Sequence, residues 1–211
     1  MRLRTLPTLL PALLLGSLLH AQGGPDAIVE TKVFHVPGQG ERVDVIISVL
    51  GGSVTMGANA HGFQQARVVA ITIIEKNGAI ADFRKSVVNG PERTDSLRPD
   101  FIHQESFLLQ PGEHGLSIEL RDLVSGDSTA SRIRLPLTIG APPDGIYFSD
   151  VLLASQVNKS TDPKLARSGY EVLPFTSIYF PAEVKSLAFY AEVYNAPTAL
   201  KGDSMYLLSY Q

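Results

Sequence analysis

The chain has 211 residues, with 18 basic and 21 acidic side chains, a formal net charge of −3, no cysteine and no tryptophan. Without cysteine, disulfides, thiolate metal sites, a cysteine nucleophile and a lipid-modified N-terminal cysteine are all excluded. The mildly acidic balance, with no Lys/Arg clusters, lacks the electrostatic footprint of a nucleic-acid or anionic-lipid binder, so neither is expected as a partner.

The N-terminus reads as a secretory leader. Arg2 and Arg4 supply a positive start, Leu6 to Leu19 an apolar run, and Leu19-His20-Ala21 a site for signal peptidase. A signal peptide is therefore expected over 1–21, cut between Ala21 and Gln22. Spanning a bilayer takes about 20 apolar residues. This run is shorter and is broken by Pro7, Pro11 and Gly16, and no later stretch is long enough to span. Loss of Arg2 and Arg4 would leave 16 basic against 21 acidic residues, a net of −5. About 190 remaining residues can bury a core without disulfides.

Beyond the leader the dominant period is two. Strands are expected at Ile28–Val36, then around Val43, Val45, Ile47 and Val49, which alternate with Arg42, Asp44, Ile46 and Ser48. Next come Ala66–Glu75, Ala79–Val88 and Phe101–Gln110. Leu116, Ile118 and Leu120 then alternate with Ser117, Glu119 and Arg121, and Ile133, Leu135, Leu137 and Ile139 alternate with Arg132, Arg134, Pro136 and Thr138. Such alternation places one face on a core and one in water, as in antiparallel sheets. Pro136 inside a good strand pattern predicts an edge or a bulge. Turn residues separate the runs, and Asn77-Gly78 is the sharpest hairpin signal, because a type I′ turn wants positive φ at both central positions. No helical period of useful length is present. The expected fold is all-β, an immunoglobulin-like antiparallel β-sandwich over 25–140.

A boundary is expected at Gly140-Ala141-Pro142-Pro143-Asp144-Gly145, beyond which lie all seven tyrosines. Residues 141–183 read as a linker, with Tyr147–Pro181 an irregular connector carrying short strands. Val184–Tyr194 and Ser204–Tyr210 read as a β-hairpin, and 184–211 as the start of a second β domain that continues beyond the chain.

Candidate sites are few. His35, His61, His103 and His114 show no metal-ligand spacing, so no metal and no cofactor is expected. His114 follows Leu109-Gln110-Pro111-Gly112 at the start of a late strand, where sandwich domains often hold a corner tyrosine that bonds back to the backbone; a structural role follows. Ser117 lacks the second glycine of a nucleophile elbow and falls on a sheet face. Asp122/Asp127 and Asp144/Asp150 lack the ligand density of a calcium loop and read as solvated turns. Asn158-Lys159-Ser160 matches a glycosylation sequon that means little in a bacterial protein. No catalytic residue is assigned. The aromatic-rich end (Tyr170, Phe175, Tyr179, Phe180, Phe189, Tyr190, Tyr194, Tyr206 and Tyr210) could stack on sugars or anchor a partner. Phe189 and Tyr190, as neighbours on a strand, must point to opposite faces, and packing is the expected role for most of the group.

Several segments together carry a family resemblance: Glu30-Thr31-Lys32-Val33-Phe34, Arg42-Val43-Asp44-Val45-Ile46-Ile47-Ser48-Val49-Leu50-Gly51-Gly52-Ser53, Leu109-Gln110-Pro111-Gly112, Ser149-Asp150-Val151-Leu152-Leu153, Val172-Leu173-Pro174-Phe175 and Leu187-Ala188-Phe189-Tyr190-Ala191-Glu192-Val193-Tyr194-Asn195. With the exported leader they resemble the N-terminal region of Gly-Trp-x-Thr-Asp (GWxTD) domain proteins, which Gram-negative bacteria export. The naming motif lies in a C-terminal domain that this tryptophan-free chain lacks, so the resemblance implies an N-terminal portion of a longer protein, in the periplasm or at the cell surface. It implies no activity. The functional expectation is a non-catalytic module for protein–protein contact or structural support at the envelope. Its rivals are a carbohydrate-binding or adhesion module and the accessory part of an exported hydrolase.

Overall fold

The structure, a computed structural model, describes residues 23–161, 169–175 and 184–196. The expected leader, its Ala21–Gln22 cleavage point and the strand Ser204–Tyr210 lie outside the described residues. In chain order the sandwich strands are β1 (Ala27–Val36), β2 (Gly40–Val49), the short β3 (Gly57–Ala58) and β4 (Gln64–Gln65), β5 (Arg67–Lys76), β6 (Ala79–Asn89), β7 (Phe101–Leu109), β8 (Gly112–Asp122) and β9 (Ala130–Ile139). All pairings are antiparallel. One sheet has the order β1-β2-β7 and the other β6-β5-β8-β9. This is an all-β sandwich of immunoglobulin-like type.

Each long strand matches a period-two segment to within a few residues, because only that period puts every apolar side chain on one face. Val43, Val45, Ile47 and Val49 of β2 join Val68, Ala70 and Ile74 of β5 and Leu116, Ile118 and Leu120 of β8 in one core, none more than 1 % exposed. The β5–β6 hairpin turns at Asn77 and Gly78, whose φ values of 53° and 78° are both positive, as a type I′ turn requires. Pro136 lies opposite Gly115 on β9, the outermost strand of its sheet, where its missing N–H breaks no ladder. Gly51, in the Leu50-Gly51-Gly52-Ser53 segment, is a forced glycine: a Cβ there would stand 2.2 Å from the Arg98 carbonyl oxygen.

The C-terminal part adds β10 (Tyr147–Phe148), β11 (Leu152–Lys159), β12 (Tyr170–Pro174), β13 (Ala188–Tyr190) and β14 (Val193–Tyr194). Within 184–194, β13 pairs with β11 through Leu153↔Phe189, and β14 pairs with β10 through Tyr147↔Tyr194. The sheet β12-β11-β13 lies against the sandwich, where Leu152, Ala154 and Val172 form a second core with Phe34 of β1 and Ile46 of β2, and Tyr190 packs alongside. One expectation is thereby corrected. On the face of β2 carrying Arg42, Asp44, Ile46 and Ser48 only Arg42 keeps partial exposure; Asp44 is 0 %, Ile46 1 % and Ser48 4 % exposed. A third layer covers it, so β2 is central in depth as well as in width.

Candidate functional site

Five of the six resemblance segments converge on the seam between that third layer and the sandwich. Phe34 closes the first segment, Arg42, Asp44 and Ile46 come from the second, and Ser149-Asp150, Val172 and Tyr190 to Asn195 from three later ones. The β1–β2 hairpin places His35 and Glu41 opposite one another. His35 Nδ1 and Glu41 Oε1 are 2.7 Å apart, and Glu41 is only 5 % exposed. Two tyrosines pack beside this pair: Tyr194 meets the His35 ring edge-on at 5.6 Å between centroids, and Tyr147 lies 4.9 Å from Tyr194.

Glu192 is the hub. Its Oε1 accepts from the Tyr190 hydroxyl at 2.6 Å, and its Oε2 accepts from the Tyr194 hydroxyl. The Tyr194 oxygen in turn accepts the backbone N–H of His35 at 2.9 Å. Arg42 bridges the layers, with Nε 3.5 Å from Asp44 Oδ1, a terminal nitrogen 3.9 Å from Glu192 Oε1, and its guanidinium 5.2 Å from the centre of the Phe34 ring. Ser106 of β7 donates to Asp44 Oδ1 at 2.6 Å.

Backbone groups complete the closure. Val33 N–H donates to Asp150 Oδ2 at 2.7 Å and Asp150 N–H returns to the Val33 carbonyl at 3.2 Å, so Asp150 caps the outer edge of β1. Ser149 N–H donates to the Glu192 carbonyl at 2.9 Å, while Glu192 N–H donates to Ser149 Oγ at 2.8 Å. Asn195, at φ 61°, sends its amide to the carbonyls of Pro143 at 3.1 Å and Gly145 at 3.2 Å. The boundary segment is thus tied to the last described strand.

Burial, then the neighbouring Glu192, pushes the Tyr194 phenol well above its ordinary value; burial and the charge on Glu41 raise Tyr147. Tyr194 therefore stays protonated well into alkaline solution and serves as a hydrogen-bond donor and not as a base. The arrangement is chemically suited to holding two layers in one orientation, because the Tyr194 and Asp150 hydrogen bonds and the Arg42–Glu192 contact run between the accessory segments and the β1–β2 hairpin.

The other residues singled out by sequence fall elsewhere. His114, 8 % exposed, has Nε2 2.9 Å from the carbonyl of Gln110, four residues upstream, which is the corner role expected of it. His114→Ala should cost about 1–2 kcal/mol through loss of that hydrogen bond and of the buried ring, measurable by denaturant unfolding; a change within the noise would show that the corner holds without it. Asp122 corrects the expectation of a solvated turn. It is 8 % exposed and accepts from the N–H groups of Thr55 at 2.8 Å and Val124 at 2.7 Å. Asp127 does cap an exposed turn, at Thr129. Phe189 is 57 % exposed, while Tyr190 of the same strand packs 5.8 Å from Phe34. Tyr179, Phe180, Tyr206 and Tyr210 lie outside the described residues.

Sequence reasoning also missed the buried acids Glu41 and Glu105. Glu105 of β7 points into the sandwich, 9 % exposed, with His103 Nε2 at 2.7 Å and the Ser86 hydroxyl donating at 2.9 Å. Burial pushes its carboxyl up, but these hydrogen bonds outweigh burial and hold it below its usual range. No group of three His, Asp or Glu side chains converges as a metal site among the described residues.

Comparison with protein-family models, curated proteins and solved structures finds no match to this chain. Its class therefore rests on the fold and the seam: an all-β sandwich with an accessory sheet clamped on its outer face. Among the described residues no helix is long and apolar enough to cross a membrane.

Proposed function

We propose that this chain is a non-catalytic β-sandwich module, exported by its leader, that makes protein–protein contacts at the bacterial envelope as the N-terminal part of a GWxTD-type protein. The observation that supports this reading most directly is the two-sided character of the accessory sheet. Its inner side packs on Phe34 and Ile46. Its outer side presents Leu153, Leu173 and Phe189, exposed by 36 %, 38 % and 57 % among the described residues. Leu153 and Phe189 are direct cross-strand partners, and Val151 and Leu187 extend the apolar character at 48 % and 60 % exposure. An exposed apolar patch rimmed by polar residues is the usual mark of an interaction surface. The polar clusters, by contrast, are engaged in fastening strands together.

A photo-crosslinking residue at position 189 should capture one envelope protein, or the downstream part of the same protein, as a discrete adduct. The same residue at position 134, on the outer face of β9, should capture none. Equal, diffuse labelling at both positions would sink the proposal.

A further inference from the structure

On the opposite side of the molecule, the open edge of β6 has an unusual composition. Ile80, Phe83 and Val87 are 63 %, 60 % and 53 % exposed, although β6 is the outermost strand of its sheet. Natural edges that stay in water are generally blunted by charge, a bulge, proline or brevity; this one carries Asp82, Arg84 and Lys85 and slips its register at Ala81, yet it is eleven residues long and keeps three large apolar side chains exposed. It is also closed by its own side chains at one point. Phe83 N–H donates to Asp82 Oδ1 at 2.7 Å, and the Phe83 carbonyl accepts from Arg84 at 2.9 Å. Asp82 and Arg84 pair with each other at 2.6 Å, and Arg84 rests 5.0 Å from the Phe107 ring centre. Both backbone groups of Phe83 therefore face the open edge.

We infer that β6 is a self-complementary docking edge for a second copy of this chain, paired antiparallel about a two-fold axis through Phe83. The pattern of charges selects that register. With Phe83 opposite its own copy, Asp82 of each chain lies opposite Arg84 of the other, so the two ion pairs that close the edge within the separate chains are exchanged for two between chains. The Phe83 N–H and carbonyl then exchange their side-chain caps for each other's backbone groups. The two neighbouring same-face registers lack this match. Centring on Asp82 or on Arg84 sets like charges opposite one another, and one step further, at Ala81, β6 slips its register against β5, between the pairs Ile74↔Asp82 and Glu75↔Ile80. The two four-stranded sheets would become one continuous sheet, and the isologous contact closes as a dimer and not a fibre. This edge is separate from the accessory-sheet face, so the inference does not depend on the proposed function.

Because the chain has no native cysteine, single-cysteine variants give a direct test. In a hydrogen-bonded antiparallel pair the facing Cα atoms are about 5.5 Å apart, within reach of a disulfide. Phe83→Cys, oxidised with copper phenanthroline, should cross-link to a dimer. Val87→Cys, similarly exposed, should not, since its two copies sit at opposite ends of the paired segment. In sedimentation velocity the unmodified chain should dimerise. Asp82→Arg and Arg84→Asp should each weaken the dimer by about tenfold, because each places like charges opposite one another twice. The double exchange should restore it. A chain that stays monomeric at millimolar concentration, or equal cross-linking at positions 83 and 87, would overturn the inference.

Discussion

Asp44→Ala should lower the stability of the chain by about 3 kcal/mol, the range for breaking one side of a buried ion pair. The carboxylate is 0 % exposed and accepts from Ser106 at 2.6 Å, with Arg42 Nε at 3.5 Å. Its removal leaves the Arg42 guanidinium largely covered by the accessory sheet, with Glu192 at 3.9 Å and the Phe34 ring as neighbours. Most of the loss therefore comes from the half-covered cation, left with Glu192 as its remaining charged neighbour. The double change Asp44→Ala/Arg42→Met should recover much of it, since replacing a whole buried pair by apolar groups is often near neutral. Urea unfolding of the two variants against the parent chain measures both effects. A loss below about 0.5 kcal/mol, typical of a surface position, would mean that the accessory sheet does not cover β2 in solution. Hydrogen exchange adds location: β11 and β13 should lose protection in Asp44→Ala before β5 and β8 do.

That prediction turns on a feature half-readable in the sequence. The alternation Val43, Val45, Ile47, Val49 was enough to place β2 in a sheet, because a single buried face imposes period two. The same rule assigned Arg42 and Asp44 to water. Ile46 is the residue that contradicts it: Val45-Ile46-Ile47 is continuous, and an unbroken apolar run marks a strand covered on both faces. The covering layer was harder to see. β13 and β14 have three and two residues, too few for periodicity to register, and β11 pairs with β12 and β13 across long intervals of chain. Glu105 shows the complementary limit. It occupies an inward position between His103 and Phe107, where alternation predicts an apolar side chain, and its acceptance depends on Ser86 of β6 being brought to it by the fold as well as on its strand neighbour His103. The resemblance segments, read as signs of kinship, turn out to concentrate in the seam. Ser149-Asp150 caps β1, and Tyr190, Glu192 and Tyr194 tie the accessory sheet to the β1–β2 hairpin.

Tyr194→Phe separates that tie from the apolar packing around it. The phenol oxygen accepts the His35 N–H at 2.9 Å and its hydrogen goes to Glu192, in a side chain 9 % exposed. Losing it leaves an amide and a carboxylate oxygen short of partners, for an expected loss of about 2 kcal/mol at neutral pH. The pH dependence gives the sharper signature. Burial and Glu192 raise the folded-state pKa of Tyr194, and burial with Glu41 raises that of Tyr147. Unfolded tyrosines ionise near pH 10, so above that value the unfolded chain binds fewer protons than the folded one. Stability from these phenols is therefore fully present below about pH 10 and is lost as pH climbs beyond it. In the parent chain, unfolding free energy should fall steadily from about pH 10 upward. In Tyr194→Phe it should start lower and fall less steeply, Tyr147 supplying the remaining slope, so the two curves converge. Parallel curves across the alkaline range would show that Tyr194 does not hold its proton for the seam. Faster exchange of the His35 amide in the variant, with β5 and β8 unchanged, would place the broken bond at the joint between the sandwich and the accessory sheet.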